Sequence, residues 1–278
     1  MPSLKMSTWK RPIRTRVSMV KGGQEHPVTE RADAVRKQFG PAAEAYLASP
    51  VHAQGEDLAS VLAFLDPSPH EVVLDLGCGV GHTLRRVAPK VRLAVGADAT
   101  PGMLEGARSL MEQERIGNVT LVVTTAESLP FLDASFDGVT CRVAAHHFSD
   151  VARAFAEVAR VLPPGGRFVL SDNYAPDDAA LDAWINELEV TRDPSHVREH
   201  TIAEWRTLLE GAGFTVANEA RSATTLEVEP WLARSRTPER DATRVREMLR
   251  SATPAVRDAF AISDGSFQLL KVVLLAKR

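Results

Sequence analysis

The sequence contains few residues that could cross-link the chain and no segment that could span a membrane. Of its 278 residues only two are cysteines, Cys78 and Cys141, and 6% are aromatic. Two thiols allow at most one disulfide, and a chain of this length does not need one, so we expect a reducing, cytoplasmic compartment. Because no run of about 18 apolar residues occurs, we predict no membrane span.

A strong excess of charge of either sign is also missing. The formal net charge is -3, which gives no general attraction to nucleic acid or to an anionic membrane. We therefore predict no nucleic-acid partner. The histidines and cysteines lack the spacing of metal ligands, so we also predict no metal site. Charge is uneven only in residues 1–26, which hold six Lys or Arg and no acidic residue before Glu25. We interpret them as a disordered basic leader, with a transit peptide as the alternative.

From about residue 70, short β-branched runs alternate with helical patterns, which is typical of βαβ units and a parallel sheet. Residues 28–65 and 220–262 do not fit this alternation. We expect both to cover the carboxyl edge of the sheet, where open α/β folds bind ligands. The predicted strands are Glu71–Leu76, Val91–Ala97, Val119–Thr124, Phe136–Arg142, Arg167–Asp172, Phe214–Asn218 and Phe267–Ala276.

Two of the predicted helices carry sequence signals for their first residues. Thr100 precedes Pro101 and fits an N-cap, and an apolar stripe at helical spacing follows. Thr201 and Glu204 form a capping-box pattern at the start of another helix. We predict one domain over residues 27–278, with a helical lid (27–68), a cofactor half (69–175) and a half that caps the substrate (176–278).

Three glycines at alternate positions, Gly77, Gly79 and Gly81, follow the first predicted strand. Glycine permits positive φ and lets a ligand approach the backbone closely. A dinucleotide-binding loop has the pattern G-x-G-x-x-G, and here the third glycine comes one residue early. Asp75 precedes the loop, and its carboxylate would repel a pyrophosphate but could hold an ammonium group. The pattern favours a zwitterionic nucleoside and argues against a nicotinamide-dependent oxidoreductase.

Asp98 ends the second predicted strand, 21 residues after Gly77 (98 − 77). An acidic residue near this spacing can accept both hydroxyls of a ribose. Alone, it could equally be an acid at a helix N-terminus. Together with the glycine loop, it favours ribose binding.

Five stretches, in this order and at these intervals, resemble the class I S-adenosylmethionine-dependent methyltransferases. They are residues 73–81, 98–104, 126–137, 141–148 and 162–166. Within that class, residues 36–278 resemble the branch of ubiquinone and menaquinone methyltransferases and their small-molecule relatives. The resemblance implies a Rossmann-like α/β fold with a seven-stranded, mostly parallel sheet. Its last strand would be antiparallel, with helices on both faces and an N-terminal helical lid.

The resemblance also implies a cofactor, S-adenosyl-L-methionine, with S-adenosyl-L-homocysteine as product. One departure concerns the adenine, because Thr124-Thr125 replaces the Gly-Asp pair common in the family. Thr125 or the backbone must then bind the adenine amino group. For Tyr46 the alternative is ordinary packing of an amphipathic helix, and for His52 it is a solvent-exposed side chain. The implied cofactor-binding residues are Tyr46, His52, Asp75, Gly77, Gly79, Gly81, Asp98, Ala99, Met103, Thr125, Ala126, Glu127 and Arg142.

We expect the acceptor at the edge of the sheet, next to the residues that follow the fourth and fifth predicted strands. His146 is the candidate catalytic base, because histidine titrates near neutrality. The candidate substrate-binding residues are His147, Asn173, His196 and Arg198. The alternatives are structural roles for the adjacent histidines, and a polar loop over residues 191–198 in which Arg192 pairs with Asp193.

The predicted activity is methyl transfer to a small-molecule acceptor by in-line displacement, in a monomer or homodimer. Two alternatives keep the cofactor. One is a different reaction, cyclisation or decarboxylation, and the other is a non-catalytic cofactor-binding regulator. The sequence does not identify the acceptor or the methylated atom.

Overall fold

The computed structural model describes residues 30–49, 53 and 55–278. The predicted leader and His52 lie outside the described residues. A seven-stranded sheet runs through the described chain in the order β3-β2-β1-β4-β5-β7-β6. Its strands are β1 (Val72–Leu76), β2 (Leu93–Asp98), β3 (Val119–Val123), β4 (Gly138–Arg142), β5 (Arg167–Asn173), β6 (Thr215–Glu227) and β7 (Ser266–Lys277).

Helices connect these strands and precede the first of them. The N-terminal helices are α1 (Glu30–Phe39), α2 (Ala43–Leu47) and α3 (Glu56–Leu65). Those between β1 and β6 are α4 (His82–Val87), α5 (Pro101–Gln113), α6 (Val151–Val161), α7 (Ala179–Arg192) and α8 (Ile202–Gly211). Between β6 and β7 lie α9 (Val228–Arg234), α10 (Glu239–Arg250) and α11 (Pro254–Ala259). Among the described residues, no helix is long and apolar enough to cross a membrane.

The strand directions confirm the predicted sheet. β1 pairs in parallel with β2 on one side and β4 on the other. β4 continues in parallel to β5, whereas β7 is antiparallel to both β5 and β6. The chain therefore leaves β1 toward β2 and returns on the far side to β4. This reversal opens a crevice at the carboxyl ends of β1 and β4, which is where such sheets bind ligands.

The sixth strand is longer than predicted. Our expectation of Phe214–Asn218 was too short, because β6 pairs with β7 as far as Glu227. Its side chains alternate between exposed and partly buried, so this strand lacks an apolar run. Pairing with the mostly buried β7 holds it in place. The two strands extend past β5, whose last pair with β7 is Asn173 with Lys271.

The helix signals in the sequence are present in the structure, with one difference. Thr201 accepts a hydrogen bond from the Glu204 backbone N–H, and the Glu204 side chain accepts one in return, so the capping box is confirmed. Thr100 occupies the N-cap of α5, but its side chain makes no capping bond. Instead, its backbone N–H donates to Asp98 Oδ1 at 2.8 Å. The start of α5 is thereby linked to the end of β2.

Candidate active site

The glycine loop after β1 has a backbone that other residues could not easily adopt. Gly77, Gly79 and Gly81 have φ values of 66°, 51° and 87°. A Cβ added at Gly77 would lie 2.5 Å from the Cβ of Ala144, and one at Gly81 would lie 3.2 Å from that of Ala107. At Gly79 an added Cβ would meet nothing within 4 Å. Two of the glycines therefore allow close packing, whereas Gly79 faces open space.

Asp98 connects this loop to the second strand. Its Oδ2 accepts a hydrogen bond from the Gly79 backbone N–H at 2.9 Å. Burial raises the pKa of Asp98, although these backbone hydrogen bonds act in the opposite direction. A carboxylate oxygen can accept more than one hydrogen bond, so both oxygens retain capacity for a ligand hydroxyl.

Asp75 lies beneath the loop and is 2% exposed. Its Oδ1 accepts a hydrogen bond from Thr140 Oγ1 at 2.8 Å. Its Oδ2 is buried and has no hydrogen-bond partner. Burial raises the pKa of Asp75 to about 7. An unpartnered buried carboxylate oxygen is unfavourable until a donor or a cation reaches it.

A single cavity extends from the glycine loop to the ends of β4, β5 and β7. Of the predicted site residues, Asp75, Gly81, His196 and Arg198 do not line it. Asp75 and Gly81 belong to the same loop region, whereas His196 and Arg198 lie further away. The predicted residues that line it are Tyr46, Gly77, Gly79, Asp98, Ala99, Met103, Thr125, Ala126, Glu127, Arg142, His146, His147 and Asn173.

His146 lines the cavity on the short 3₁₀ turn Ala145–His147 that follows β4. Its Nδ1 lies 2.6 Å from Oδ1 of Asp172, and its backbone N–H donates to Oδ2 of the same carboxylate at 3.2 Å. Burial lowers the pKa of His146, but the Asp172 carboxylate more than offsets this, and the pKa is raised overall. Asp172 thus favours a proton on Nδ1 and leaves Nε2 without a partner among the described residues.

Comparison with known proteins identifies the family of this chain. Residues 74–170 match the methyltransferase domain family. The chain is 41% identical over 225 residues to the uncharacterized methyltransferase YcgJ of Bacillus subtilis, covering 81% of this chain and 89% of YcgJ. The chain belongs to the class I S-adenosylmethionine-dependent methyltransferases.

Solved structures agree with this assignment. The crystal structure of YcgJ superposes with a TM-score of 0.77 at 38% identity, covering 80% of this chain and 97% of that one. The BH2331 protein of Bacillus halodurans gives a TM-score of 0.76 at 33% identity, covering 80% and 99%. The demethylmenaquinone methyltransferase of Corynebacterium kroppenstedtii is 37% identical over 112 residues, 40% of this chain and 46% of that enzyme.

The cofactor of the class is S-adenosyl-L-methionine, and the residues of this methyltransferase fit it. Asp75 does not line the cavity, but its unpartnered Oδ2, buried beneath the glycine loop, is the acceptor available to the ammonium of the methionine portion. Asp98 has hydrogen-bond capacity for the ribose hydroxyls, and the open space at Gly79 leaves room for the ligand beside the loop. Thr125 lines the cavity after β3, together with Ala126 and Glu127, the other predicted adenine contacts.

Glu127 has a structural contact that the sequence did not predict. Its Oε1 accepts hydrogen bonds from the Ser149 backbone N–H at 2.9 Å and from the Ser149 hydroxyl at 2.8 Å. It also accepts one from the Asp150 backbone N–H at 3.3 Å. The Glu127 carboxylate therefore joins the cavity wall to the start of α6.

The N-terminal helices close one side of the cavity. Val35, Phe39 and Tyr46 of α1 and α2 line it. The ring of Phe39 contacts that of His147, with centroids 5.0 Å apart, and that of Tyr46 at 5.5 Å. Burial raises the pKa of Tyr46, so its hydroxyl stays protonated at neutral pH.

Two histidines near His146 are held in their neutral form. Burial lowers the pKa of His147 to about 3, and His147 Nδ1 contacts the carbonyl oxygen of Ser195 at 3.2 Å. Burial also lowers the pKa of His196, which is 1% exposed, and the charges of neighbouring residues lower it further. Of the three histidines, His146 is the one whose environment favours accepting a proton.

The structure places two arginines differently from the sequence interpretation. Arg198 donates hydrogen bonds to Asp182 at 3.0 Å and to Glu204 at 3.0 Å, outside the cavity lining. Arg192 is not paired with Asp193 in a loop. It ends α7, lines the cavity, and pairs with Glu189 at 2.7 Å. One helical turn separates Arg192 from Glu189, so their side chains meet on one face.

A buried ionic cluster that was not predicted from the sequence lies beside the cavity. Arg142 donates to both carboxylate oxygens of Asp57, from Nε at 2.6 Å and Nη2 at 2.8 Å. Ser171 Oγ donates to Asp57 at 3.0 Å, and Lys271 Nζ lies 3.7 Å from it. The lysine could have been found, because Lys271 interrupts the apolar run of β7. Nothing in the local sequence distinguishes Asp57 from a surface residue of α3.

Proposed function

We propose that this methyltransferase transfers a methyl group from S-adenosyl-L-methionine to a small-molecule acceptor. The observation that carries the proposal is the single cavity that joins the glycine loop and Asp98 to the His146–Asp172 pair. Its walls come from α1, α2 and the paired strands β6 and β7, which leave room for a small acceptor. The branch resemblance and the name of the demethylmenaquinone methyltransferase support a small acceptor but do not identify it.

When bound, S-adenosyl-L-methionine would supply an electrophilic methyl group to a lone pair of the acceptor by in-line displacement, with S-adenosyl-L-homocysteine as the leaving group. The chain binds and orients the two reactants, because alignment provides much of the rate acceleration in such a transfer. Asp98 and Asp75 hold the two ends of the nucleoside. Phe39 and Tyr46, which line the cavity from the N-terminal helices, act as a lid that excludes water.

His146 is the base in this proposal. Its Nε2 accepts the proton of the acceptor hydroxyl, thiol or amine, while Asp172 stabilises the resulting charge on the imidazole. The hydrogen-bonded pair of His146 and Asp172 is buried, so solvent screens little of the charge that forms on the imidazole. His147 and Asn173, which line the cavity on either side, contact the acceptor.

The first experiment measures cofactor binding by calorimetric titration with S-adenosylhomocysteine and, as a control ligand, NADH. We expect micromolar affinity for the nucleoside and none for NADH. Asp98→Ala should weaken nucleoside binding at least 100-fold, whereas Asp258→Ala, an exposed carboxylate on α11, should leave it unchanged. Binding of NADH in place of the nucleoside would contradict the proposal.

The second experiment measures transfer of a labelled methyl group to a panel of phenols, hydroxy acids and amines. His146→Gln should lose the transfer and keep its affinity for S-adenosylhomocysteine. An unchanged rate in His146→Gln would exclude His146 as the base. A wild-type protein that binds the nucleoside but methylates no acceptor would favour the non-catalytic alternative.

A further inference from the structure

The charges that line the cavity are divided between its two ends. The described acidic residues of the lining, Asp98 and Glu127, lie at the nucleoside end. Toward the paired strands β6 and β7 and toward α9 the lining is cationic, with Arg192, Arg234 and Lys271. A fourth cation, Arg142, lies at the end of β4 beside the glycine loop. The carboxylates that pair with these cations, Asp57 and Glu189, are not part of the lining.

Arg192 is held rigidly in this wall and is 7% exposed. Its Nε and Nη2 donate to Glu189 at 3.0 and 2.7 Å, and its Nη1 donates to the Ser235 hydroxyl. Its guanidinium carbon lies 4.6 Å from the ring centroid of Trp231. A guanidinium fixed in this way is already oriented before a ligand arrives, so binding costs little side-chain entropy.

Arg234, on α9, is less well satisfied. Its guanidinium lies 6.0 Å from the ring centroid of Tyr46, and its buried Nε has no hydrogen-bond partner among the described residues. Burial lowers the pKa of Arg234 and the positive charge of Arg192 lowers it further, whereas Tyr46 and Glu189 act in the opposite direction. A buried N–H without a partner is unfavourable unless a hydrogen-bond acceptor lies against it.

We infer that the acceptor is an organic acid whose carboxylate binds to Arg192 and Arg234. This inference rests on the proposed function and specifies the acceptor of the same cavity. Arginine suits the task because its planar donors match a carboxylate in two-point hydrogen bonds. Leu226, Leu269 and Trp231 line the same end and provide an apolar surface for the rest of the acceptor.

The methionine carboxylate of the cofactor is the competing anion. Arg142 directly follows Cys141, which pairs with Leu76 at the end of β1, so Arg142 lies beside the glycine loop. Its positive charge also lowers the pKa of Asp75. Arg192 ends α7 and Arg234 ends α9, and both act on Tyr46 of the lid. We therefore assign Arg142 to the cofactor side of the cavity, and Arg192 and Arg234 to the acceptor.

The test titrates the protein, saturated with S-adenosylhomocysteine, with benzoate, phenylacetate and hexanoate and with the primary amide of each. We expect at least one acid to bind 10-fold or more tightly than its amide. Arg234→Gln should remove that preference. Arg236→Gln, an exposed arginine two residues further along, should retain it. Both variants should bind S-adenosylhomocysteine within twofold of the wild type.

Three results would overturn the inference. In the first, no acid binds more tightly than its amide. In the second, the preference persists in Arg234→Gln. In the third, Arg234→Gln weakens S-adenosylhomocysteine binding 10-fold or more, which would assign the arginine to the methionine carboxylate. Failure of the wild type to bind S-adenosylhomocysteine would instead contradict the proposed function, so the two failures are distinguishable.

Discussion

The two ends of the cavity are built by different means. The nucleoside end comes from consecutive strand ends, with Gly77, Gly79 and Asp98 close in sequence and fixed by backbone geometry. The acceptor end is assembled from the N-terminal helices, the ends of β4 and β5, α7, α9 and the paired strands β6 and β7. Buried ion pairs hold its side chains in place. Changes in the glycine loop should therefore act through sterics, and changes at the acceptor end through protonation and ion pairing.

The largest effect should come from Gly77→Ala. The added Cβ would lie 2.5 Å from that of Ala144 at a φ of 66°, so both a clash and backbone strain result. Together these cost about 2–5 kcal/mol of unfolding free energy. Because the clash displaces the loop, we expect S-adenosylhomocysteine affinity to fall more than 100-fold. Thermal melting and calorimetry measure the two effects separately.

Gly165→Ala provides the control for backbone strain alone. Gly165 has a φ of 82°, and an added Cβ there would meet nothing within 4 Å. It lies outside the cavity lining, so this variant should lose only about 1–2 kcal/mol of stability and keep its affinity for the nucleoside. Equal losses of affinity in the two variants would contradict a steric role for Gly77.

The next effect, on catalysis, should come from Asp172→Asn. In the wild type the rate should rise with pH as His146 loses its proton. Asp172 raises that pKa above 6.5, so the half-maximal rate should lie above pH 6.5. In Asp172→Asn the carboxylate charge is gone and burial still lowers the pKa of His146. The pH of half-maximal rate should therefore fall below 6.5. We expect kcat/KM to fall about 100-fold, since both orientation and charge stabilisation are lost.

The control for Asp172→Asn is Asp177→Asn, an exposed residue five positions along the chain. It should leave the pH profile and the rate unchanged. Both variants should bind S-adenosylhomocysteine normally. If Asp172→Asn lowers the rate without changing the pH of half-maximal rate, Asp172 has a structural role and His146 does not titrate in the reaction.

A smaller effect, on binding, should come from Asp75→Asn. The pKa of Asp75 is raised to about 7. In the wild type the carboxylate gains its charge as the pH rises, so affinity for S-adenosylhomocysteine should increase between about pH 6 and about pH 7.5, before the ligand ammonium titrates. Asp75→Asn should remove this dependence and lower affinity at the upper pH about 10-fold, the worth of one hydrogen bond to a charged group.

Thr140→Val sharpens the test at Asp75. The Thr140 hydroxyl donates to Asp75 Oδ1 at 2.8 Å and lowers the pKa of that carboxyl. Valine has nearly the same shape but no donor, so the pKa should rise and the pH dependence of binding should shift upward. A profile that does not move would mean that Asp75 does not titrate in this range.

The difference between the two ends also explains what could be predicted from the sequence. The parallel strands, the helix caps and the glycine loop follow from local patterns, because strand periodicity, capping residues and glycine spacing are encoded by neighbouring residues. The antiparallel direction of the last strand was predicted only from the family resemblance. The length of β6 was missed because its polar alternation gives no apolar signal, and only pairing with β7 determines where it ends.

The acceptor end could be predicted only in part. His146 and His147 were found because they adjoin a strand end, but the partner of His146, Asp172, lies 26 residues away. Asp57 and Arg142 are 85 residues apart and meet only in the folded chain. For Arg192, the alternative of a loop pair with Asp193 is wrong, because Arg192 ends α7 and pairs with Glu189 one turn earlier. Tertiary pairing of distant charges leaves no periodic signal in one sequence.

The smallest effect should come from Arg198→Gln. The sequence predicts that Arg198 binds the acceptor, whereas the structure places it outside the cavity lining, and this variant distinguishes the two. The Arg198 side chain is 34% exposed and pairs with Asp182 and Glu204 outside the cavity lining. Partly exposed ion pairs contribute at most about 1 kcal/mol, so stability should change little. We expect kcat/KM to stay within about twofold of the wild type, because a residue outside the lining touches neither reactant. A 10-fold loss of kcat/KM with unchanged S-adenosylhomocysteine affinity would instead place Arg198 at the acceptor, and would require α7 and α8 to move toward the cavity during the reaction.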